Sequence, residues 1–518
     1  MKNLNRIFIL FLISSVLFGC ADDLLEKTPK DSLSPATFFQ DETQCMMALM
    51  GVYAAIQPNA TPTHFYQFEF MSDNGYCQAA WQGSNEIGSW STTSTSWGPY
   101  AKWTQNYTII ARANEFIQDV ANADVDEDVK EQMVAEVKFL RGYAYADLIT
   151  YYGNVPLITE VLPLSEAYVS RDSKSDVLTQ VLKDLDDAAA VLPTSYDGSE
   201  VGRATKGAAL SYKAKILLYN ERWSEAAQAA KEVIDLDEYD FFNDYEALFT
   251  ESNENNIEVI FDIQYIQTQS QPWPAEPFVL GTWQTSNITA SMINSYYMTN
   301  GLPIDDPNSG YDDQDPYTNR DPRLDATVVL PGTQYGEATF VPASYAEYPC
   351  GAKPRKYAEY GVADVNVSSL NTILMRYADI CLMRAEALIE SGSTDQEIYD
   401  LINAVRARVG MPSIESVEGS GLTQSQLRDI LRHERRVEFC MEGTRYADML
   451  RWKDEALVHD VYGYDKSLLS DPADPAKWVF KQIKIATRTF NSTKAWLWPV
   501  PQADIDINEN LLPNNPGY

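Results

Sequence analysis

The sequence predicts a mainly α-helical fold: a tetratricopeptide-like helical-repeat scaffold with long irregular loop regions and a few short strands. Three observations lead there. Residues 202–235 form one unit of 34 residues, the length of a helix–turn–helix repeat. Apolar residues at helical spacing recur in pairs elsewhere. Two stretches, 58–107 and 237–365, are rich in Pro, Gly, Asn, Ser and aromatic rings and lack sustained helical periodicity.

From the N-terminus onward, Lys2 and Arg6 precede an apolar run from Ile7 to Phe18, too short to span a bilayer. It ends in Leu17-Phe18-Gly19-Cys20, which resembles a bacterial lipobox, although Phe18 stands where a small residue is usual. Residues 1–19 are therefore expected to be a lipoprotein signal peptide, with Cys20 the lipid anchor and 20–518 a single domain. Its helical scaffold is expected mainly over 37–57, 108–236 and 366–457. The loop regions fall mainly at 58–107 and 237–365.

Within the scaffold, Val134, Val137, Leu140, Ala144 and Leu148 share one side of a helix over 128–152, stopped by Gly153. Asp176 to Leu192 form its partner, which stops at Pro193. In the repeat unit, Ala204, Ala208, Ala214, Ala226, Ala227 and Ala230 let two helices approach to about 8–10 Å, and Trp223 fills the turn between them. Residues 372–391 and 395–409 read as another hairpin, and a further helix runs from about Thr423 to Gly443. Short strands are expected over Ile257–Tyr265 and Ala326–Leu330.

Composition narrows the function. With 74 Asp+Glu against 40 Lys+Arg and no basic run, nucleic acid is a poor partner. Three histidines, His64, His433 and His459, leave little for a multi-histidine metal centre or a histidine base. Beyond Cys20, five widely spaced cysteines form neither a disulfide framework nor a zinc motif. Nucleotide-binding and hydrolase signatures are absent. The acidic run Asp305–Asp315 lacks the alternating register and closing Glu of a calcium loop. No cofactor or metal is predicted, and 31 Tyr with 11 Trp favour a binder over an enzyme.

One block imitates a catalytic pair. In 432–452, Glu434, Glu438 and Glu442 stack at i, i+4 among Arg435, Arg436, Arg445 and Arg451. Carboxylates interleaved with arginines have lowered pKa values, which suits a structural network and not a general acid.

The same block carries a family resemblance. FLRGYAYADLITYYGNVPL (Phe139–Leu157), LMRYADICLMRAEAL (Leu374–Leu388), HERRVEFCMEGTRYADMLRW (His433–Trp452) and LWPVPQADIDINENLLPNNPGY (Leu497–Tyr518) resemble, in order, motifs of the SusD/RagB family. Asn514 replaces the usual Gln and Val500 the usual Ile. The resemblance implies a SusD-like, non-enzymatic lipoprotein on the outer face of the outer membrane. Such proteins capture oligosaccharides, in some branches peptides, and act as lids on a SusC-like TonB-dependent transporter. Asp22 and Asp23 resemble the surface-export signal of such lipoproteins.

A sugar stacks its apolar C–H face on an indole and needs polar partners for its hydroxyls. Tyr76, Trp81, Trp90 and Trp97 in the first loop region, and Trp273 and Trp283 in the second, are the candidate ligand-binding residues. Trp103 and Tyr107, preceding a helix at Ile109–Val120, read as core. A peptide-capturing relative and a surface glycoside hydrolase are the alternatives. The first would use backbone pairing, the second convergent carboxylates.

Overall fold

A computed structural model describes residues 39–58, 63–266, 285–335, 338–344, 348–358, 368–471 and 474–518. Cys20, Asp22, Asp23, Trp273 and Trp283 lie outside the described residues. Helices α1 (Glu42–Tyr53), α2 (Trp97–Val120), α3 (Glu127–Tyr151), α4 (Lys174–Val191), α5 (Lys206–Tyr219) and α6 (Trp223–Ile234) make the first half of the scaffold. From α2 to α6 each packs on the next in chain order. The stack then continues from α6 onto α7 (Tyr377–Glu390), so the chain between them loops out of a continuous helical array. Helix α7 packs on α8 (Gln396–Arg408) and on α9 (Gln424–Glu438), and α10 (Thr444–Trp452) follows.

Local chemistry sets these boundaries. Ser173 and Thr205 accept hydrogen bonds from the Asp176 and Ala208 amides, capping α4 and α5, and Thr423 forms a reciprocal capping box with Gln426. The alanines of the α5–α6 pair are buried as their spacing requires, and Trp223 packs partly buried against the same core.

Strands among the described residues occur as two-stranded antiparallel pairs. They include β1 (Gly75–Cys77) with β3 (Ser286–Ile288), β2 (Val259–Ile263) with β4 (Thr372–Arg376), and β5 (Val461–Tyr464) with β6 (Gln482–Ala486). The β2–β4 pair ties the chain leaving α6 to the chain entering α7.

Four expectations need correction. Helix α2 starts at Trp97, so Trp103 and Tyr107 lie inside it instead of before it. Residues 372–376 are a buried strand, because β-branched Thr372 and Ile373 pair with β2 before the helix begins at Tyr377. The expected 423–443 helix stops at Glu438. Gly443, with φ +69, sits against the Phe65 carbonyl where a Cβ would approach to 2.6 Å, and α10 restarts after it. The second expected strand shrinks to Val328–Val329.

The C-terminal motif is structural. Trp498 stacks on Tyr151 at 4.8 Å and donates its indole N–H to the Tyr446 hydroxyl at 2.8 Å. Asn514 accepts from the Val500 amide and donates back to the Val500 carbonyl, at 2.8 and 3.0 Å. The two departures from the family pattern thus bond to each other.

Candidate functional site

The two loop regions flagged by their rings meet at β1 and β3, where Tyr76 opposes Asn287 and Cys77 opposes Ser286. Side chains extend the join. Gln82 donates to Thr285 Oγ1 at 2.9 Å, and Asn287 donates to Gln78 Oε1 at 3.0 Å. Trp81 stands between those partners on the turn Ala80–Gln82, and 48% of it is exposed. Trp97, the first residue of α2, is 42% exposed, and Tyr100 one turn on equally so.

The other described candidates turn inward. Trp90 is buried, edge-on to Trp496 at 5.0 Å and to Phe490 at 4.8 Å, because the C-terminal segment folds over it. Tyr76 is buried with Cys350 and Val461, since pairing of β1 with β3 directs it inward. Neither presents an open ring face, so the stacking role expected for Trp90 and Tyr76 is withdrawn. Loop composition misled for Trp90: Ser, Thr and Gly neighbours say nothing about a partner 400 residues on.

This segment is clamped to the scaffold by charge. Arg445 donates to both Asp73 oxygens at 2.8 and 2.9 Å, and Arg436 reaches Asn74 Oδ1 at 2.7 Å. Burial pushes the Asp73 carboxyl up, but Arg436 and Arg445 outweigh it and hold it below the usual range. Arg488 donates to the Phe70, Ser72 and Gly75 carbonyls, and burial lowers its pKa to about 10. Asp73 and Arg488 escaped the sequence reading, for their partners lie hundreds of residues away.

The arginine–glutamate block is a sealed network. Glu438 accepts from Arg376 Nη1 at 2.6 Å, from Arg323 Nη1 at 2.9 Å, and from Arg408. Glu258 accepts from Arg376 and Arg408 at 2.7–2.9 Å, and Glu434 accepts from Arg323 at 2.5 Å. All these side chains are at most 3% exposed. Burial would raise Glu438, but Arg408, Arg376 and Arg323 prevail and hold it well below the carboxylate range. Glu442 is lowered the same way by Arg376 and Lys356. Glu434 departs from the expected lowering: burial outweighs Arg323 and raises it. The array is a joint between α8, α9, β4 and the residue entering β2.

Among the described residues no cluster of His, Cys, Asp or Glu is arranged to hold a metal ion, and no helix is long and apolar enough to cross a membrane. The five described cysteines are buried thiols.

Comparison with known proteins fits this architecture. Residues 245–518 match the SusD family, and residues 23–218 match a family described as starch-binding associating with outer membrane. SusD-like protein P2 of Formosa agariphila is 28% identical over 543 aligned positions, covering 100% of both chains. A SusD-like carbohydrate-binding protein of Bacteroides fragilis, of known crystal structure, is 30% identical with a TM-score of 0.81, over 92% of this chain and 100% of its own. A laminarin-binding SusD-like protein, 24% identical, shares the fold at a TM-score of 0.67, over 92% and 100% of the two chains. With the family match spanning more than half its length and the helical array of its solved relatives, this chain belongs to the SusD family.

Proposed function

We propose that the protein is a cell-surface lipoprotein that captures oligosaccharides through Trp81 and Trp97 and delivers them to a SusC-like TonB-dependent transporter. One observation carries the binding reading: two indoles stay exposed on a segment whose backbone is fixed by β1, β3 and the Asp73–arginine clamp. A rigid, exposed ring loses little entropy on stacking a sugar, whereas a mobile one must first be ordered. The carbohydrate-binding relative of Bacteroides fragilis supports the ligand class. Cys20 supplies the anchor, and the family supplies the expectation of a transporter partner. Trp273 and Trp283 remain candidate partners from the second loop region.

The reading is non-enzymatic. The carboxylates that resemble a catalytic pair are buried among arginines and cannot exchange protons with a bound glycosidic oxygen.

The test is a glycan array probed with the soluble domain and with Trp81→Ala and Trp97→Ala variants. Binding of at least one oligosaccharide class, lost in a variant with unchanged melting temperature, supports capture at this site. Unaltered binding in both variants moves the site elsewhere. No glycan bound by the unaltered protein rejects carbohydrate as the ligand.

A further inference from the structure

A separate cleft of about 510 Å³ opens where the C-terminal ends of α3, α5 and α10 meet the C-terminal segment. Its walls include Lys174, Lys453, Asn154, Tyr219 and Trp496. The chain carries 74 acidic residues, and on the neighbouring helices Lys102, Lys138, Lys213 and Lys231 each hold a carboxylate. Lys174 and Lys453 do not. Neither ammonium forms a hydrogen bond or an ion pair among the described residues. They instead repel one another, and burial together with Lys453 lowers the Lys174 pKa. Glu221 lines the same cleft and attracts Lys174, yet closes no ion pair. Two like charges facing one space, in a chain with a large excess of carboxylates, mark a place for an anion.

The remaining lining gives that anion a carrier. Phe490 covers one face of Trp496 at 4.3 Å and 31°, and Trp90 braces it edge-on. Trp496 is only partly buried and borders the cleft. The Tyr219 hydroxyl is buried with no hydrogen-bond partner among the described residues. A further cavity lies beyond Tyr219 and shares Thr150 and Tyr219 with the cleft. It holds Lys215, which rests over the Tyr219 and Tyr212 rings without an acceptor. Backbone strain gathers here too. Of eleven non-glycine residues with positive φ among the described residues, Glu221, Lys453, Ala495 and Trp496 all line this cleft. Such conformations persist where the surroundings impose them, and they concentrate at ligand sites.

We propose that this cleft is a second ligand site, taking an anionic sugar unit whose carboxylate or sulfate sits between Lys174 and Lys453 while its ring lies against Trp496. The inference rests on the glycan-capture reading for its sugar component, and it names a subclass of ligand, the acidic saccharides, that Trp81 and Trp97 alone would not select.

The experiment is saturation-transfer NMR and calorimetry with glucuronate, galacturonate and glucose 6-sulfate, against glucose and sodium sulfate, at low salt. At least one acidic sugar should bind at least tenfold more tightly than glucose and weaken as salt rises. The K174M/K453M double variant should lose that binding at least tenfold. Its melting temperature should not fall, because neither ammonium has an ion-pair partner to lose. Equal affinity for all three acidic sugars and glucose, or full binding by the double variant, overturns the proposal. So does sodium sulfate binding as tightly as the sugars, which would leave an ion site only. The Trp81→Ala and Trp97→Ala array separates the two readings. If acidic sugars bind through the lysines but no array glycan depends on Trp81 or Trp97, loop capture fails and the cleft stands. The reverse pattern sinks the cleft alone.

Discussion

Arg376 and Glu442 meet in a two-pronged ion pair: Arg376 Nε and Nη2 donate to the two Glu442 oxygens at 2.7 and 2.8 Å. Arg376 ends β4, where the chain re-enters the scaffold, and Glu442 lies in the break between α9 and α10. The pair therefore fixes the join between the looped-out region and the helical array. Lys356 adds a third point at 2.8 Å. Removing one member of a buried pair strands the other charge in low dielectric, at a cost of about 3–5 kcal/mol. Arg376→Met should therefore lower the denaturation midpoint steeply, as read by urea unfolding. A variant as stable as the parent would show that the network is dispensable.

The same network sets an expectation for Glu438. Its carboxylate satisfies three arginines, so Glu438→Gln should destabilise the fold by a similar ~3–5 kcal/mol. No hydrolysis should be lost, since none should be present. Chromatography of a bound oligosaccharide after prolonged incubation checks this. Any chain shortening that vanishes in Glu438→Gln would make the protein a hydrolase.

His433 gives a pH dependence. It stacks on Tyr297 at 3.9 Å, its Nε2 lies 2.7 Å from the Ser295 carbonyl, and burial lowers its pKa to about 4. A base with a depressed folded pKa takes up its proton first in the unfolded chain. Its contribution is thus complete above the unfolded value near 6.5 and falls away as pH drops toward about 4. The loss amounts to a few kcal/mol at most, at about 1.4 kcal/mol per pKa unit. Urea midpoints at pH 7 and pH 5 should differ, and the difference should shrink in His433→Gln. An unchanged difference would assign the acid sensitivity to other groups, such as buried His64.

Cys20→Ala tests the anchor. Without a thiol to acylate, the protein should leave the outer-membrane fraction in cells that lack any SusC-like transporter. Three acyl chains at about 0.8 kcal/mol per buried methylene would otherwise hold it firmly. Persistent membrane association of the variant in that background would refute a lipid anchor.

What the sequence made legible follows interaction range. Helix pairs were readable because alanine spacing and helix-stopping Gly and Pro act within a turn or two, as at Ala208, Ala226, Gly153 and Pro193. The arginine–glutamate block was readable as a structural network, though the raised Glu434 was not, since its sign depends on how completely the folded chain buries it against the pull of Arg323. The start of α2 was missed because Trp97, Gly98 and Pro99 look like loop; Pro is tolerated in a first helical turn, where its missing N–H has no partner to lose. Burial of Trp90 could not be read locally, because Phe490 and Trp496 arrive from the far end of the chain.

The tryptophans therefore divide into two kinds, and the division is measurable. Trp90→Ala should open a cavity between Phe490 and Trp496 and cost about 3–5 kcal/mol of stability, as large aromatic truncations do. Trp81→Ala and Trp97→Ala remove rings that are roughly half exposed and should shift stability little. Binding should respond in the opposite order. An open capture site that must release its cargo favours modest affinity, about −4 to −8 kcal/mol, or millimolar to micromolar. Loss of one stacking ring, worth ~2 kcal/mol or more, would push such a ligand toward the limit of detection. Calorimetric titration and thermal melts on the same three variants separate packing from recognition. Should Trp81→Ala and Trp97→Ala melt early and bind normally, their rings are scaffold and the capture surface must be sought on other residues.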